Sequence, residues 1–176
     1  MERAETAAWP VDIFDVLTAH DVRQVAYVPD AGHKELIELC AAAGGPMEMV
    51  PLTTEEEGVA LLADAWLGGQ RGVLLMQSSG VGNCVNMFSL IRTCRFPLLS
   101  LVTMRGSEGE FNPWQVPLGR ITGDILERTG HAVFALDEAA RSGETVDAAA
   151  RAAFEGPAAA AVLISQRLVG IKTFGD

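Results

Sequence analysis

TTEEEGVALLADAWLGGQRGVLLMQSSGVGN, residues 53–83, runs through an acid-led apolar helix, an apolar strand and a glycine-rich loop. EEEGVALLADAWL repeats apolar residues at helical spacing and then meets Gly68 and Gly69, a common helix stop. RGVLLMQ (71–77) reads as a strand, and SSGVGN (78–83) as a tight turn into the helix CVNMFSLIRTC (84–94). Upstream, VRQVAYVP (22–29) and MEMVPLT (47–53) read as strands around the helix HKELIELCAAAG (33–44), which is expected to end on Gly44. Downstream, FPLLSLVTM (96–104) is apolar on both faces, as a central parallel strand should be. ITGDILERTG (121–130) and ETVDAAARAAFEG (144–156) read as helices, and HAVFALD (131–137) and PAAAAVLIS (157–165) as strands. RGSEGEFNPWQVPLG (105–119) breaks the alternation as an irregular excursion, and the tail QRLVGIKTFGD carries no strong pattern. This order predicts an α/β fold: a doubly wound, six-stranded parallel sheet with helices on both faces, forming a single domain over residues 1–176.

An apolar share of 49% with a net charge of −10 points to a soluble globular protein and away from nucleic acid, whose phosphates demand a basic surface. No apolar run approaches the roughly 20 residues that a membrane helix needs, and the amino terminus lacks a basic start followed by an apolar segment. A cytoplasmic location follows as the expectation. Cys40, Cys84 and Cys94 match no metal-binding or disulfide spacing and are expected as buried free thiols. Trp9, Trp66 and Trp114 are expected to add apolar area to the core or to an interface.

In an open parallel sheet, ligands sit at the carboxyl ends of the strands, where YVPDAGH, LTTEEE, LMQSSGVGN and TMRGSEGE emerge. Thr54 with Glu57 fits a capping box, which accounts for Glu57. Glu56 shares a helix face with Val59, Ala60, Ala63 and Leu67, whereas Glu55 shares one with Val59, Leu62 and Trp66. Periodicity does not choose between them, and whichever acid points inward needs a partner. Gly80 and Gly82 allow a tight strand-to-helix turn whose amides favour polar ligands, although the lysine of a phosphate-binding P-loop is missing. Arg105 and Arg120 bracket the irregular excursion, and either guanidinium could clamp an anionic substrate or form an interface ion pair.

EEEGV, LMQSSGVGN, RGSEGE and QVPLGR, in this order, resemble the pyrimidine-binding domain of thiamine-diphosphate-dependent decarboxylases, above all the alpha subunits of sulfopyruvate decarboxylases and the matching half of phosphonopyruvate decarboxylases. The resemblance covers roughly residues 12–170. In that family the glutamate eight positions before the aspartate of the Ala-Asp pair hydrogen-bonds a ring nitrogen of the cofactor's aminopyrimidine; here it is Glu56, with Asp64 closing the motif. The resemblance implies that this carboxyl, in a dry site on the inward helix face, shares a proton with the ring and readies the cofactor to attack a 2-oxo acid, from which carbon dioxide leaves. It also implies that Gln77, Ser78, Ser79 and Asn83 line the reaction cleft. Related decarboxylases place a polar residue in the first loop where this chain has Ala31, so Asp30 or His33 is expected to serve there, His33 as an acid or base.

The family's diphosphate-binding Gly-Asp-Gly is missing: Gly123-Asp124 is followed by Ile125, and Gly175-Asp176 ends the sequence. The resemblance therefore implies a partner beta subunit bearing that motif and Mg2+, no metal site on this chain, and an α2β2 or larger assembly whose active site lies at the joint. Residues 106–119 are expected at that interface. A 2-oxo acid decarboxylase of the phosphonopyruvate or sulfopyruvate type leads. Its rivals are a carboligase of the acetolactate synthase type and a non-catalytic regulatory domain on the same fold.

Overall fold

The computed structural model describes residues 9–42, 45, 47–107 and 110–170. The expected helix stop at Gly44, part of the RGSEGE motif, the first eight residues and the end of the tail lie outside the described residues. Six parallel strands, β1 (Val22–Tyr27), β2 (Glu48–Pro51), β3 (Arg71–Gln77), β4 (Leu98–Thr103), β5 (His131–Leu136) and β6 (Ala159–Ile164), form one sheet in the order β2-β1-β3-β4-β6-β5. The chain leaves β1 in one direction to make β2 and returns on its other side to make β3. That reversal opens a crevice at the carboxyl ends of β1 and β3, where ligands bind in open α/β sheets.

Helices cover both faces, because successive strand residues point to opposite sides and both sets are apolar. On one face, Val25, Val73, Leu75, Leu99, Leu101, Ala160 and Val162 pack against α1 (Trp9–Ala19), α2 (Lys34–Ala42) and α7 (Ser142–Phe154). On the other, Ala26, Leu74, Met76, Leu98, Val102 and Ala161 meet α3 (Glu55–Leu67), α4 (Ser78–Cys84), α5 (Ser89–Cys94) and α6 (Val116–Arg128). β4 is buried at every position, as its two-sided apolar run predicts. The helix α1, which no strand alternation flags, seats the buried Trp9, Ile13 and Leu17 on the first layer.

Four local expectations change. CVNMFSLIRTC is not one helix: α4 ends at Cys84, residues 85–88 form a turn, and α5 begins at Ser89. SSGVGN is helix rather than turn: α4 begins at Ser78 directly after β3, and neither Gly80 nor Gly82 has a positive φ. The irregular excursion ends early, with a 3-10 turn at Pro113–Gln115 leading straight into α6. The tail begins with a short helix, α8 (Gln166–Val169).

His131 opens β5 with its ring buried, edge-on to Phe88 at 4.5 Å between centroids. Burial pushes its pKa down to about 4 from the ordinary 6.5, so the fold favours the neutral ring. The unfolded chain protonates first as pH falls, so this contribution is complete above 6.5, is lost between 6.5 and about 4, and levels off below. The loss should reach about 3 kcal/mol. Urea titrations from pH 7.5 to 4 should show stability falling more steeply for the native chain than for His131→Leu; parallel slopes would remove the histidine from the account.

Candidate functional site

The start of α3 shows which acid turns inward. Glu55, Gly58, Val59 and Leu62 form the buried stripe, with Glu55 only 7% exposed. Glu56 is exposed, and its stripe runs out through exposed Ala60 to Leu67, which is 85% exposed. The inward orientation expected for Glu56 is thus corrected: α3 rests on the sheet through the Glu55 side, where Gly58 lets the helix approach Leu74 closely. Thr54 caps in extended geometry without a side-chain bond, and the Glu57 carboxylate accepts from the Thr53 amide at 2.9 Å, one residue further back than a capping box requires. Glu57 serves the helix end in either case.

Across the crevice, α4 presents Gly80 to the Glu55 carboxyl so closely that a Cβ there would overlap it. Asn83 Nδ2 donates to Glu55 Oε2 at 2.8 Å. The buried Cys84 thiol is pushed up to about 12 by burial and then by the charges of Glu55 and Glu56. Cys40 is buried as well, but Cys94 is exposed, contrary to expectation, because α5 turns that residue away from the sheet.

The remaining candidates divide by what they touch. Ser78 is buried and its Oγ accepts from the Arg105 amide at 3.1 Å; Gln77 Oε1 accepts from Gln115 Nε2 at 3.3 Å. Both therefore hold the loop after β4 against α4. Ser79 is half-buried in the first turn of α4, and Gly82 is exposed with Leu118 of α6 alongside. In the first loop, half-buried Asp30 accepts from Thr103 Oγ1 at 2.6 Å. His33 is fully enclosed: its Nε2 lies 3.0 Å from the Leu101 carbonyl and 3.3 Å from that of Met76. Carbonyls only accept, so Nε2 carries the proton and the buried Nδ1 is bare, with no partner among the described residues. Burial lowers the pKa of this ring against the nearby Asp30 charge. The acid or base expected in the cleft is instead a neutral brace near the ends of β3 and β4.

Arg105 also departs from expectation. Its guanidinium donates from Nε to Glu110 Oε2 at 3.0 Å and from Nη2 to Glu110 Oε1 at 2.9 Å, with the two side chains 5% and 2% exposed. A fork already closed on a carboxylate does not clamp a substrate anion. Glu110 further accepts from the amides of Gly106 and Asn112 and from Gln166 Nε2 of α8, while Gln166 Oε1 takes both Ser107 donors. Burial opposes ionisation of Glu110, but Arg105 and these amides outweigh it and hold the carboxyl at about 2. Arg120 is exposed, Trp66 is half-buried, and Trp114 stands 73% exposed beside the loop. Sequence reasoning missed Glu110, Gln115 and Gln166, which meet only through the fold and share no spacing that would announce it.

The site thus consists of an exposed acid, Glu56, at the start of α3, backed by the buried Glu55, which the exposed Asn83 holds by a hydrogen bond, and by a braced loop. Such an acid can exchange a hydrogen bond or proton with a ligand laid against it. Among the described residues no group of three or more His, Cys, Asp or Glu side chains could hold a metal ion, and no helix is long and apolar enough to cross a membrane.

Residues 11–114 match the family described as thiamine pyrophosphate enzyme, N-terminal TPP binding domain. The chain is 44% identical over 100 residues to sulfopyruvate decarboxylase subunit alpha of Methanothermobacter thermautotrophicus, a match that covers 56% of this chain but 60% of that subunit. It is 34% identical over 116 residues to the same subunit of Methanocaldococcus jannaschii, covering 65% of this chain and 68% of that one. Phosphonopyruvate decarboxylase of Streptomyces viridochromogenes is 37% identical over 118 residues, 66% of this chain and 30% of that protein. In fold alone, the chain is similar to 2-oxoglutarate:ferredoxin oxidoreductase from Magnetococcus marinus, at a TM-score of 0.73 and 12% identity over 92% of this chain and 29% of that one. A family match across more than half of the sequence makes this chain a member of the thiamine pyrophosphate enzyme family through its N-terminal TPP binding domain.

Proposed function

We propose that this chain, as one domain, is the pyrimidine-binding subunit of a heteromeric thiamine-diphosphate-dependent 2-oxo acid decarboxylase of the sulfopyruvate or phosphonopyruvate type. The observation that carries this is the exposed Glu56 at the start of α3 in a family member similar to decarboxylase alpha subunits. Its donor chemistry fits one end of the cofactor: a carboxyl can hydrogen-bond an aminopyrimidine nitrogen. The other end, the diphosphate with its Mg2+, is assigned to a second chain. A beta subunit with a Gly-Asp-Gly motif would hold it, in an α2β2 or larger assembly.

Thiamine diphosphate, when bound, supplies the nucleophilic carbon and the electron sink that loss of carbon dioxide requires. Glu56 would hold a proton at the pyrimidine edge. Exposure of this acid in the lone chain means that a partner surface must close over it and exclude water before its carboxyl can share a proton rather than merely carry charge. Because Arg105 is engaged by Glu110, a different cation would receive the anionic tail of the substrate. The three free cysteines fit a reducing compartment such as the cytoplasm.

Mixing the chain with the co-purifying beta subunit, thiamine diphosphate and Mg2+ should release carbon dioxide from sulfopyruvate or phosphonopyruvate, with neither subunit active alone. Recovery of two carbonyl substrates joined in one product would place the complex with carboligases instead. A chain that captures no partner and no cofactor would point to the regulatory reading.

A further inference from the structure

Glu55 is a buried carboxylate that the cofactor chemistry of its neighbour leaves unexplained. It is 7% exposed, occupies the space above Gly80 and accepts from Asn83 Nδ2 at 2.8 Å. Its backbone is contiguous with Glu56, so whatever fixes Glu55 also fixes where the next side chain leaves the helix. We propose that Glu55, clamped between Gly80 and Asn83 of α4, is a positioning residue that sets the placement of Glu56 for the reaction. This rests on the reading of Glu56 as the acid that meets the aminopyrimidine.

The geometry supports the proposal in two independent ways. A helix start is held on only one side by its own turns, since its first amides lack intrahelical partners, and here the Thr54 side chain makes no cap bond. The Glu55–Asn83 hydrogen bond instead ties that turn laterally to α4. Gly80, for its part, makes room at the contact: a Cβ there would overlap the Glu55 side chain and displace its carboxyl from this position. Two elements that grow from different strands, β2 and β3, are thereby joined at the crevice rim. A misplacement of about 1 Å in a reacting group can lower a rate about 100-fold, so a modest clamp can have a large kinetic effect.

The test uses the reconstituted complex with thiamine diphosphate and Mg2+, and compares Glu55→Gln, Glu55→Ala, Asn83→Ala and the Glu55→Ala/Asn83→Ala double variant, with Glu56→Gln as reference. Glutamine keeps an oxygen that accepts from Asn83, so Glu55→Gln should keep at least about half of kcat. Glu55→Ala and Asn83→Ala should each lower kcat by about tenfold or more, with KM for the 2-oxo acid, cofactor affinity and subunit assembly within about twofold. The double variant should be no worse than the worse single one, as expected when both remove one interaction. The proposal is overturned if Glu55→Ala keeps kcat within twofold, or if Glu55→Gln falls as far as alanine. Full activity of Glu56→Gln would overturn the reading beneath it as well, whereas an inactive Glu56→Gln beside a fully active Glu55→Ala would overturn only the clamp.

Discussion

Glu56→Gln is expected, under the proposed function, to lower kcat of the reconstituted complex by roughly 10²–10⁴-fold, the range that a positioned proton-transferring group contributes. Glutamine has the shape of glutamate and still hydrogen-bonds, but its amide carries no proton that it can exchange with a ring nitrogen. The fold should not register the change, because Glu56 is exposed and contributes no packing to the buried stripe of α3. Thermal unfolding of the isolated chain should therefore stay within about 0.5 kcal/mol of the native protein, as for an ordinary surface substitution. Glu57→Ala gives the opposite signature. It removes the bond to the Thr53 amide, costs about 1 kcal/mol of stability, and leaves kcat unchanged. Steady-state kinetics and melting curves on the two variants separate an acid that works from an acid that caps. Equal activity of Glu56→Gln and the native complex would end the assignment.

How much of this was legible in the sequence varied with the range of the interaction. β3 and β4 announce themselves through continuous apolar runs, because both faces of a central strand are covered and both must be apolar. The helix nature of EEEGVALLADAWL is equally plain, but its rotation about its own axis is not. Val59 lies close to both stripes, so the pattern admits Glu55 or Glu56 as the inward acid. The decision comes from α4, whose Gly80 makes room for one carboxylate and whose Asn83 donates to it. The same contact explains why SSGVGN was misread as a turn: its glycine serves close approach within a helix rather than a left-handed bend. His33 looks titratable in a loop sequence, and only the strand carbonyls that enclose its Nε2 show it to be a brace. Arg105 looks available for a substrate until Glu110, 5 positions downstream, closes on its guanidinium and is itself held by Gln166, 61 positions downstream of Arg105. Local periodicity carries the elements; their rotation and their polar partners are settled by neighbours distant in sequence.

The Arg105–Glu110 cage yields the largest stability effect expected from a single polar change. Glu110→Ala leaves a guanidinium that is 5% exposed with Gln115 Oε1 as its one remaining acceptor among the described residues, and it orphans the Gly106 and Asn112 amides and Gln166 Nε2. Breaking one side of an enclosed ion pair costs about 3–5 kcal/mol, and the lower end applies here because Glu110 as a whole residue is only half-buried. The pH dependence gives the loss a distinctive shape. The carboxyl of Glu110 is held at about 2 against an ordinary 4.5, so its contribution is fully present above 4.5 and is lost as pH falls towards 2. Urea unfolding should thus find a constant gap between native and Glu110→Ala chains from pH 7 to about 5, closing below 4.5. Replacing both partners, Arg105→Met with Glu110→Leu, should recover part of the stability, because no buried charge is left without its counterion. It should not recover activity in the complex, since the loop that Ser78 and Gln77 hold against α4 would lose its anchor. A Glu110→Ala chain as stable as the native one at pH 7 would show the cage to be ornamental, and the guanidinium of Arg105 would again be a candidate for the anionic end of the substrate.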